Sequence, residues 1–333
     1  FMSVNKFLYL AEEEIHSILG KDYQIVIDSV EDALKMMYEG TTIQPDKSSQ
    51  IFDEKYQNRI NCMPATLKRE NTCGMKWVSV FPENKKNGLP NVEGIIVLSE
   101  TNTGGVKCVL NATELTSLRT AGVGALAVKY LARKEANTIG FIGAGEEAKA
   151  HFKLIKFMQK DIKKCFVSSR TKKSVDTFIE ELAPMYSDVE FINCENDYES
   201  AICDADIIVT AISSQEPVLK ARWIKPGTLY IHVAGIEDEF AVARMASKIV
   251  CDCWEAVKHR KQTIVQMYNA GELKEEDIYA DIYEIICGDK EGRESEGEFI
   301  YFNSVGLAVE DILLANRIYE KALELGKGIW INK

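Results

Sequence analysis

Three absences narrow the reading of this chain before any motif is considered. Nine cysteines stand at positions 62, 73, 108, 165, 194, 203, 251, 253 and 287, yet no C-x-x-C pair occurs among them. The four histidines, His16, His151, His232 and His259, fall in no zinc spacing with them, so no metal site is expected. Cys251-x-Cys253 lies in a strand-like run, where alternate side chains point to opposite faces. The thiols read as reduced and mostly buried, as in a cytoplasmic protein. Apolar runs are short as well, none approaching the ~20 residues that cross a bilayer. No signal peptide is recognised, and Phe1 ahead of Met2 reads as an expression remnant. Positive charge is in deficit: 40 Lys and Arg against 51 Asp and Glu leave a net −11. A nucleic-acid partner would call for a basic stripe, so none is expected. The net charge says little about a small substrate, because local lysines and arginines set the field of a cleft.

What is present has ordinary globular proportions, 46% hydrophobic and 27% charged. At 333 residues the chain has room for about two domains of ~150 residues each. A short strand, Phe7–Leu10, leads into an acidic helix start at Ala11–Glu14. An amphipathic helix follows over 21–39, with Ile25, Val26, Val30, Ala33, Leu34 and Met37 at helical spacing and Gly40 ending it. Thr41–Asn58 is polar and reads as loop or edge strand. Strands are expected at Arg59–Met63, Gly74–Val80, Gly94–Ser99 and Gly105–Leu110, in an antiparallel sheet. A long helix then runs from Asn111 to about Ala132. Beyond it, strands alternate with helices: Ile139–Ile142, Lys164–Ser168, Val189–Ile192, Ile207–Thr210, Leu229–Val233 and Ile249–Cys251 are the strands. Such βα repeats predict a parallel sheet covered by helices on both faces. Gly288–Glu298 reads as a surface loop, and Gly306–Leu325 as a last helix with one apolar face.

The most informative stretch is Thr138–Ala150. Its apolar strand breaks into Gly143-Ala144-Gly145 and continues through Glu146, Glu147 and Ala148 into a helix, the setting in which G-x-G-x-x-A has physical meaning. Gly143 permits the tight turn, Gly145 lets backbone approach a pyrophosphate, and Ala148 lets helix and strand pack closely. The phosphates would sit on the free N–H groups of the helix N-terminus. A tight turn alone would use the same glycines.

The next strand ends in Ser168-Ser169-Arg170-Thr171-Lys172. An Asp or Glu usually meets a free ribose 2′-OH about 20 residues past the glycines, and none is present. Ser169, Arg170, Thr171 and Lys172 suit a 2′-phosphate instead, Arg with a bidentate fork. NADP(H) is therefore favoured and NAD(H) remains possible. A solvated basic helix start is the plain alternative. Thr210, Ala211 and Ser213, at the carboxyl edge where open α/β sheets bind ligands, are candidate cofactor neighbours, as small residues in a tight turn also would be.

Between Arg59 and Ala150 a series of short motifs occurs in fixed order: Asn61-Cys62-Met63-Pro64-Ala65, Gly74-Met75-Lys76-Trp77-Val78, Phe81-Pro82-Glu83-Asn84, Gly88-Leu89-Pro90, Leu118-Arg119-Thr120-Ala121 and Gly143-Ala144-Gly145. Gly288-Asp289-Lys290-Glu291-Gly292-Arg293 and the run from Phe302 to Asp311 extend it to nearly the whole chain. The series resembles the ornithine cyclodeaminase/mu-crystallin family, which also includes archaeal-type alanine dehydrogenases and ketimine reductases. The resemblance implies a Rossmann-type doubly wound parallel sheet over 119–304. It further implies a smaller α+β substrate and dimerisation domain from 1–118 and 305–333, and a homodimer.

It also implies an amino-acid substrate whose carboxylate is held by cations, with Lys76 and Arg119 on the matching motifs and Arg59 standing in for a third. Planar Arg and compact Lys suit those tasks, and a partly desolvated Lys76 could share in proton transfer. Relatives commonly carry an Asp and a Pro-Gly-Lys turn after the strand that matches Leu229–Val233. Here that turn is missing, and counting from the strand puts Glu237 on the Asp position with Asp238 one residue on. Thr120, Val233 and Gly235 complete the candidate cofactor contacts. The expected activity is hydride transfer to or from Cα of a small amino acid or its imine. Ornithine cyclodeamination with a recycled cofactor is the second reading, and a non-catalytic NADPH-binding protein the third.

Overall fold

The structure is a computed structural model, and it describes residues 5–20, 22–53, 55, 57–214 and 216–333. Phe1, and Glu54 and Tyr56 of the expected loop or edge strand, lie outside the described residues. In chain order the first elements are β1 (Lys6–Leu10), α1 (Glu12–Leu19), α2 (Gln24–Tyr38), β2 (Thr42–Ile43), β3 (Ser48–Asp53), β4 (Asn58–Leu67), β5 (Thr72–Val80), β6 (Val92–Glu100), β7 (Val106–Asn111) and α3 (Thr113–Leu131). There follow β8 (Thr138–Ile142), α4 (Glu146–Met158), β9 (Lys164–Ser168), α5 (Lys172–Leu182), β10 (Glu190–Asn193), α6 (Tyr198–Ile202), β11 (Ile207–Thr210), β12 (Leu229–His232), α7 (Phe240–Arg244) and β13 (Lys248–Cys251). The last are α8 (Trp254–Val257), α9 (Thr263–Asn269), β14 (Ala280–Asp281), α10 (Ile282–Ile286), β15 (Ile300–Asn303), α11 (Ala308–Leu325) and β16 (Ile329–Asn332). Among the described residues no helix is long and apolar enough to cross a membrane.

The chain forms two compact units, one of Phe1–Arg119 with Leu307–Lys333 and one of Thr120–Gly306. The first carries a mixed sheet in the order β16-β1-β7-β6-β5-β4-β2, with β3 also on β4. Its pairs are antiparallel except β1 with β7. On β4 the odd positions Asn61, Met63, Ala65 and Leu67 are buried and their neighbours less so, the period of two that a one-sided sheet requires. Met63 lies opposite Lys76, Lys76 opposite Ile96, and Ile96 opposite Leu110, so Lys76 stands in a buried row across four strands. Helix α11 packs over β4, β5 and β6 and against α2.

The second unit is a wholly parallel sheet in the order β10-β9-β8-β11-β12-β15-β13-β14. β11, β12, β13 and β15 are buried at every position, as strands covered on both faces are. Strand order runs outward one way from β8 to β10 and the other way from β11. The switch between β8 and β11 is where such a sheet opens a crevice at its carboxyl edge.

Candidate active site

The glycine turn sits at that switch. Gly143 has φ +110, and a Cβ there would lie 2.5 Å from the Ala211 carbonyl oxygen. Gly143 N–H donates to Ser168 O (2.9 Å) and Ala211 N–H to Ile142 O (3.0 Å), so the ends of β8, β9 and β11 are drawn together. A side chain at 143 would force them apart. Gly145 caps α4 in extended conformation, and nothing lies within 4 Å of where its Cβ would be. Lys149 N–H makes the first helical bond, to Gly145 O, which leaves the N–H groups of residues 146–148 without partners inside the helix. Ala148 is fully buried against the sheet. Open approach, N–H donors at the helix end and a small packing residue fit a pyrophosphate. Two acids share that first turn, but Glu146 is paired with Lys149 (2.9 Å) and Glu147 lies 3.4 Å from His151 Nδ1.

The basic loop has a different character. Ser168 Oγ and Ser169 N–H both donate to the carbonyl of Glu195 (2.9 Å each), whose φ of +50 bends its carbonyl toward them. Thr171 caps α5 by accepting from Ser174 N–H, and Lys172 is ion-paired with Glu195. Arg170 is exposed. Of the four residues expected around a 2′-phosphate, Ser169 and Arg170 keep their side chains outside those bonds.

The expected proton-handling carboxylates lie deeper. Glu237 is fully buried. Its Oε2 accepts from Thr210 Oγ1 (2.7 Å) and from the N–H groups of Val233 and Ala234 (3.2 Å each), and its Oε1 accepts from Ile212 N–H (2.8 Å). Asp238, also buried, accepts from the hydroxyls of Tyr230 (3.3 Å) and Tyr301 (3.1 Å). His232 Nε2 is 3.6 Å from Glu237 and 3.5 Å from Asp238, its ring stacked on Tyr301. Burial raises Glu237 to about 8 and Asp238 to about 7, and lowers His232 to about 3. Among the described residues no cation pairs with these acids, because the histidine is neutral. Glu237 thus ties the β11 end to the turn at 233–237, the geometry of an anchor. Thr210 spends its hydroxyl on that anchor, while Ser213 is exposed and Val233 and Gly235 are half-buried on the same edge.

In the first unit Lys76 and Arg119 meet. Lys76 Nζ donates to Asp311 Oδ1 (2.6 Å), Arg119 Nε donates to the same oxygen (3.0 Å), and Arg119 NH1 lies 3.3 Å from Glu310 Oε2. Lys76, Glu310 and Asp311 are fully buried, and Arg119 is 5% exposed. Burial, then the Arg119 charge, lowers Lys76 to about 8, against the pull of Asp311. Arg59 faces the same side of β4 as Met63 but stands four residues away, roughly 13 Å along the strand at ~3.3 Å per residue. It donates to Gln57 O (2.9 Å) and is not brought to the Lys76 cluster. Thr120 is the first residue of the second unit. Glu310 and Asp311 are the partners that reading the sequence missed. The available signal was two acids in succession on a helix whose neighbours Leu307, Val309, Ile312 and Leu313 are apolar. Among the described residues no group of His, Cys, Asp or Glu is placed to hold a metal ion.

Comparison with known proteins covers the whole architecture. The chain is 33% identical over 328 residues to an alanine dehydrogenase of Archaeoglobus fulgidus, covering 96% of this chain and 97% of that one. Among solved structures, the Thermococcus litoralis Delta(1)-pyrroline-2-carboxylate reductase in complex with NADH and L-proline superposes with a TM-score of 0.92. It is 33% identical, with 97% of this chain and 99% of that chain covered. An archaeal alanine dehydrogenase dimer with bound NAD gives 0.87 at 33% identity, over 98% and 99%. The profile of the Ornithine cyclodeaminase/mu-crystallin family matches residues 9–326, and the chain, with its Rossmann-type sheet, its second α+β unit and its glycine turn, belongs to that family.

Proposed function

We propose that this chain is an NAD(P)-dependent oxidoreductase that transfers hydride to or from Cα of a small amino acid or its imine. The observation that carries the reading is the buried meeting of Lys76 and Arg119 on Asp311, in a family whose relatives include amino-acid dehydrogenases and imine reductases. A bound nicotinamide supplies or accepts the hydride. The chain's own residues do the rest. Residues 143–148 hold the pyrophosphate on the α4 N-terminus. Arg119 presents its fork to the α-carboxylate, which fixes Cα in place and removes the entropic part of the barrier. Lys76, lowered to about 8, can give a proton to the substrate nitrogen or take one from it near neutral pH. Glu237 and Asp238 act behind the edge, holding the 233–237 turn in shape.

In this reading Phe1–Arg119 with Leu307–Lys333 is the substrate and dimerisation domain and Thr120–Gly306 the dinucleotide domain. The working form is a homodimer, as in the archaeal alanine dehydrogenase. A cytoplasmic setting agrees with nine free thiols. Relatives bind NADH and NAD; exposed Arg170 supports a preference for NADP(H) in this chain.

The test is a substrate screen that follows reduced-cofactor absorbance, with amino acids such as alanine and proline oxidatively and keto acid plus amine, or a cyclic imine, reductively. Turnover of a small amino acid or imine is expected. Conversion of ornithine to proline with no net cofactor change would favour the cyclodeaminase, and cofactor binding without any turnover would favour the binding protein.

A further inference from the structure

Lys76 and Arg119 do not wait for a substrate as bare cations. Two carboxylates, Glu310 and Asp311 in the first turn of α11, already face them from within the same unit. The four charges sum to zero, and all four side chains are buried or nearly so. A buried ion network of this kind is seldom the stablest filling of a core, since apolar residues of similar volume often do as well or better. Its hydrogen bonds are also incomplete. Asp311 Oδ1 accepts from both cations while its Oδ2 has no hydrogen-bond partner. Among the described residues, Lys76 Nζ makes one hydrogen bond, to Asp311, and an ammonium carries three donors. Directly across the sheet Lys76 faces only Met63 and Ile96. Two further polar groups beside α11 are bonded among themselves: Thr72, Lys107 and Asn316, and Arg317 with Ser29 and Asp32. The charged groups that face the ammonium are therefore Asp311 and Glu310 from α11 and Arg119 from α3.

We propose that Asp311 is a positioning residue for the proton on Lys76: by sharing one oxygen between Nζ and the Arg119 guanidinium, it keeps the ammonium charged beside a second cation and directs its two remaining N–H donors to the substrate. Glu310 has a separate part, steering Arg119. This deepens, and rests on, the reading of the site as one for amino-acid or imine chemistry. In the reductive direction hydride from the reduced nicotinamide adds to the imine carbon, and the C=N π pair moves onto nitrogen. That nitrogen forms its new N–H bond with a proton from Lys76, whose own N–H bond breaks. Lys76 is left as a neutral amine and regains a proton from solvent, and the nicotinamide leaves oxidised. Without Asp311, the neighbouring Arg119 charge and burial would be opposed by Glu310 alone and would expel the proton too early.

The experiment has two arms on the full-length protein. In the first, the Nζ resonance of Lys76 is followed against pH by NMR of lysine-labelled protein, assigned by its loss in Lys76→Arg. It should titrate well below an ordinary lysine in the wild type, and about one pH unit or more lower still in Asp311→Asn. In the second, the alkaline limb of the reductive kcat profile should coincide with that titration. It should move down with it in Asp311→Asn, stay in place in Asp311→Glu, and stay in place in Glu310→Gln, where KM rises instead. An unmoved titration and limb in Asp311→Asn would overturn the proposal, leaving the pair a purely structural one. If Asp311→Asn does not fold, the wild-type titration still decides, since a Lys76 that titrates above pH 10 also overturns it. Absence of turnover on every amino acid and imine would instead count against the proposed activity, and the NMR arm would stand apart from it.

Discussion

Two buried charge clusters, one in each unit, are built on opposite plans. Around Lys76 two cations face two carboxylates, charge is balanced, and hydrogen bonding is left short. Around Glu237 two carboxylates meet hydroxyls, backbone N–H groups and a neutral histidine, and the Glu237 oxygens together accept four hydrogen bonds. The first cluster keeps donors in hand, which suits a site that must receive a ligand. In the second, Glu237 spends its hydrogen bonds on the protein, which suits a brace, while Asp238 Oδ2 and both ring nitrogens of His232 have no hydrogen-bond partner. Burial alone does not distinguish them, because both are sealed from solvent. What separates Lys76 from Glu237 is whether the polar valence of the group itself is used up.

The sharpest way to break that contrast is at Arg119. Arg119→Ala leaves two buried carboxylates short of a partner, at roughly 3–5 kcal/mol for a broken buried pair. It should reduce kcat/KM by about a thousandfold while the affinity for reduced cofactor, read by fluorescence titration, changes little. Comparable losses of both would deny that the cluster serves substrate. Glu237→Gln is the matching test of the brace. An amide must turn a donor toward N–H groups that now donate, so a stability loss of about 1–3 kcal/mol is expected by denaturant titration. Turnover should fall further than in Asp238→Asn, through weaker cofactor binding. A large fall in kcat with stability and cofactor affinity intact would restore Glu237 as a proton carrier.

A smaller effect is expected at the basic loop. Arg170→Ala should weaken NADPH binding about tenfold, or ~1.4 kcal/mol, and leave NADH nearly unchanged; equal effects on both would remove the 2′-phosphate from the account. The smallest effect is on melting temperature. Glu237 and Asp238 are raised to about 8 and 7, so the folded state holds protons that the unfolded state releases, and stability falls as pH rises toward 8. His232 and His151, lowered to about 3 and 4 by burial, act in the opposite sense below their unfolded value of 6.5. The two trends oppose each other at acid pH, leaving a net decline between about pH 6.5 and 8. Calorimetry should show that slope in the wild type and a shallower one in Glu237→Gln with Asp238→Asn.

The doubly wound sheet was legible because its signals are local: apolar strands, helical spacing and a glycine turn within a dozen residues. The four central strands of the mixed sheet were legible too, although β4 extends to Leu67 and β5 starts at Thr72, each beyond its expected end. β16 was missed because Ile329, Trp330 and Ile331 are all exposed and show no alternation. β15 has no alternation either, for the opposite reason that every position is buried. Lys76 could be singled out only through family resemblance. Its partner Asp311 lies 235 residues away, and no periodicity reports such a pairing. Glu237 was expected just past the Leu229–Val233 strand, but beside the near N–H groups of Val233 and Ala234 the donors that fix it include Thr210 and Ile212, 27 and 25 residues earlier. Whether a carboxylate is free or braced is a property of those donors, not of its own neighbourhood in sequence.

The exposed ion pair between Lys172 and Glu195 carries one more consequence. Mobile ions reach it, and at ~0.15 M ionic strength they damp fields beyond ~8 Å, while a sealed pair such as Lys76 with Asp311 is screened far less. Ionic strength is therefore a way to separate the two proposed recognition events. If Arg170 reads the coenzyme as proposed, that discrimination is expected to fade as salt is added, while the proposed grip on a substrate carboxylate beside Lys76 and Arg119 persists.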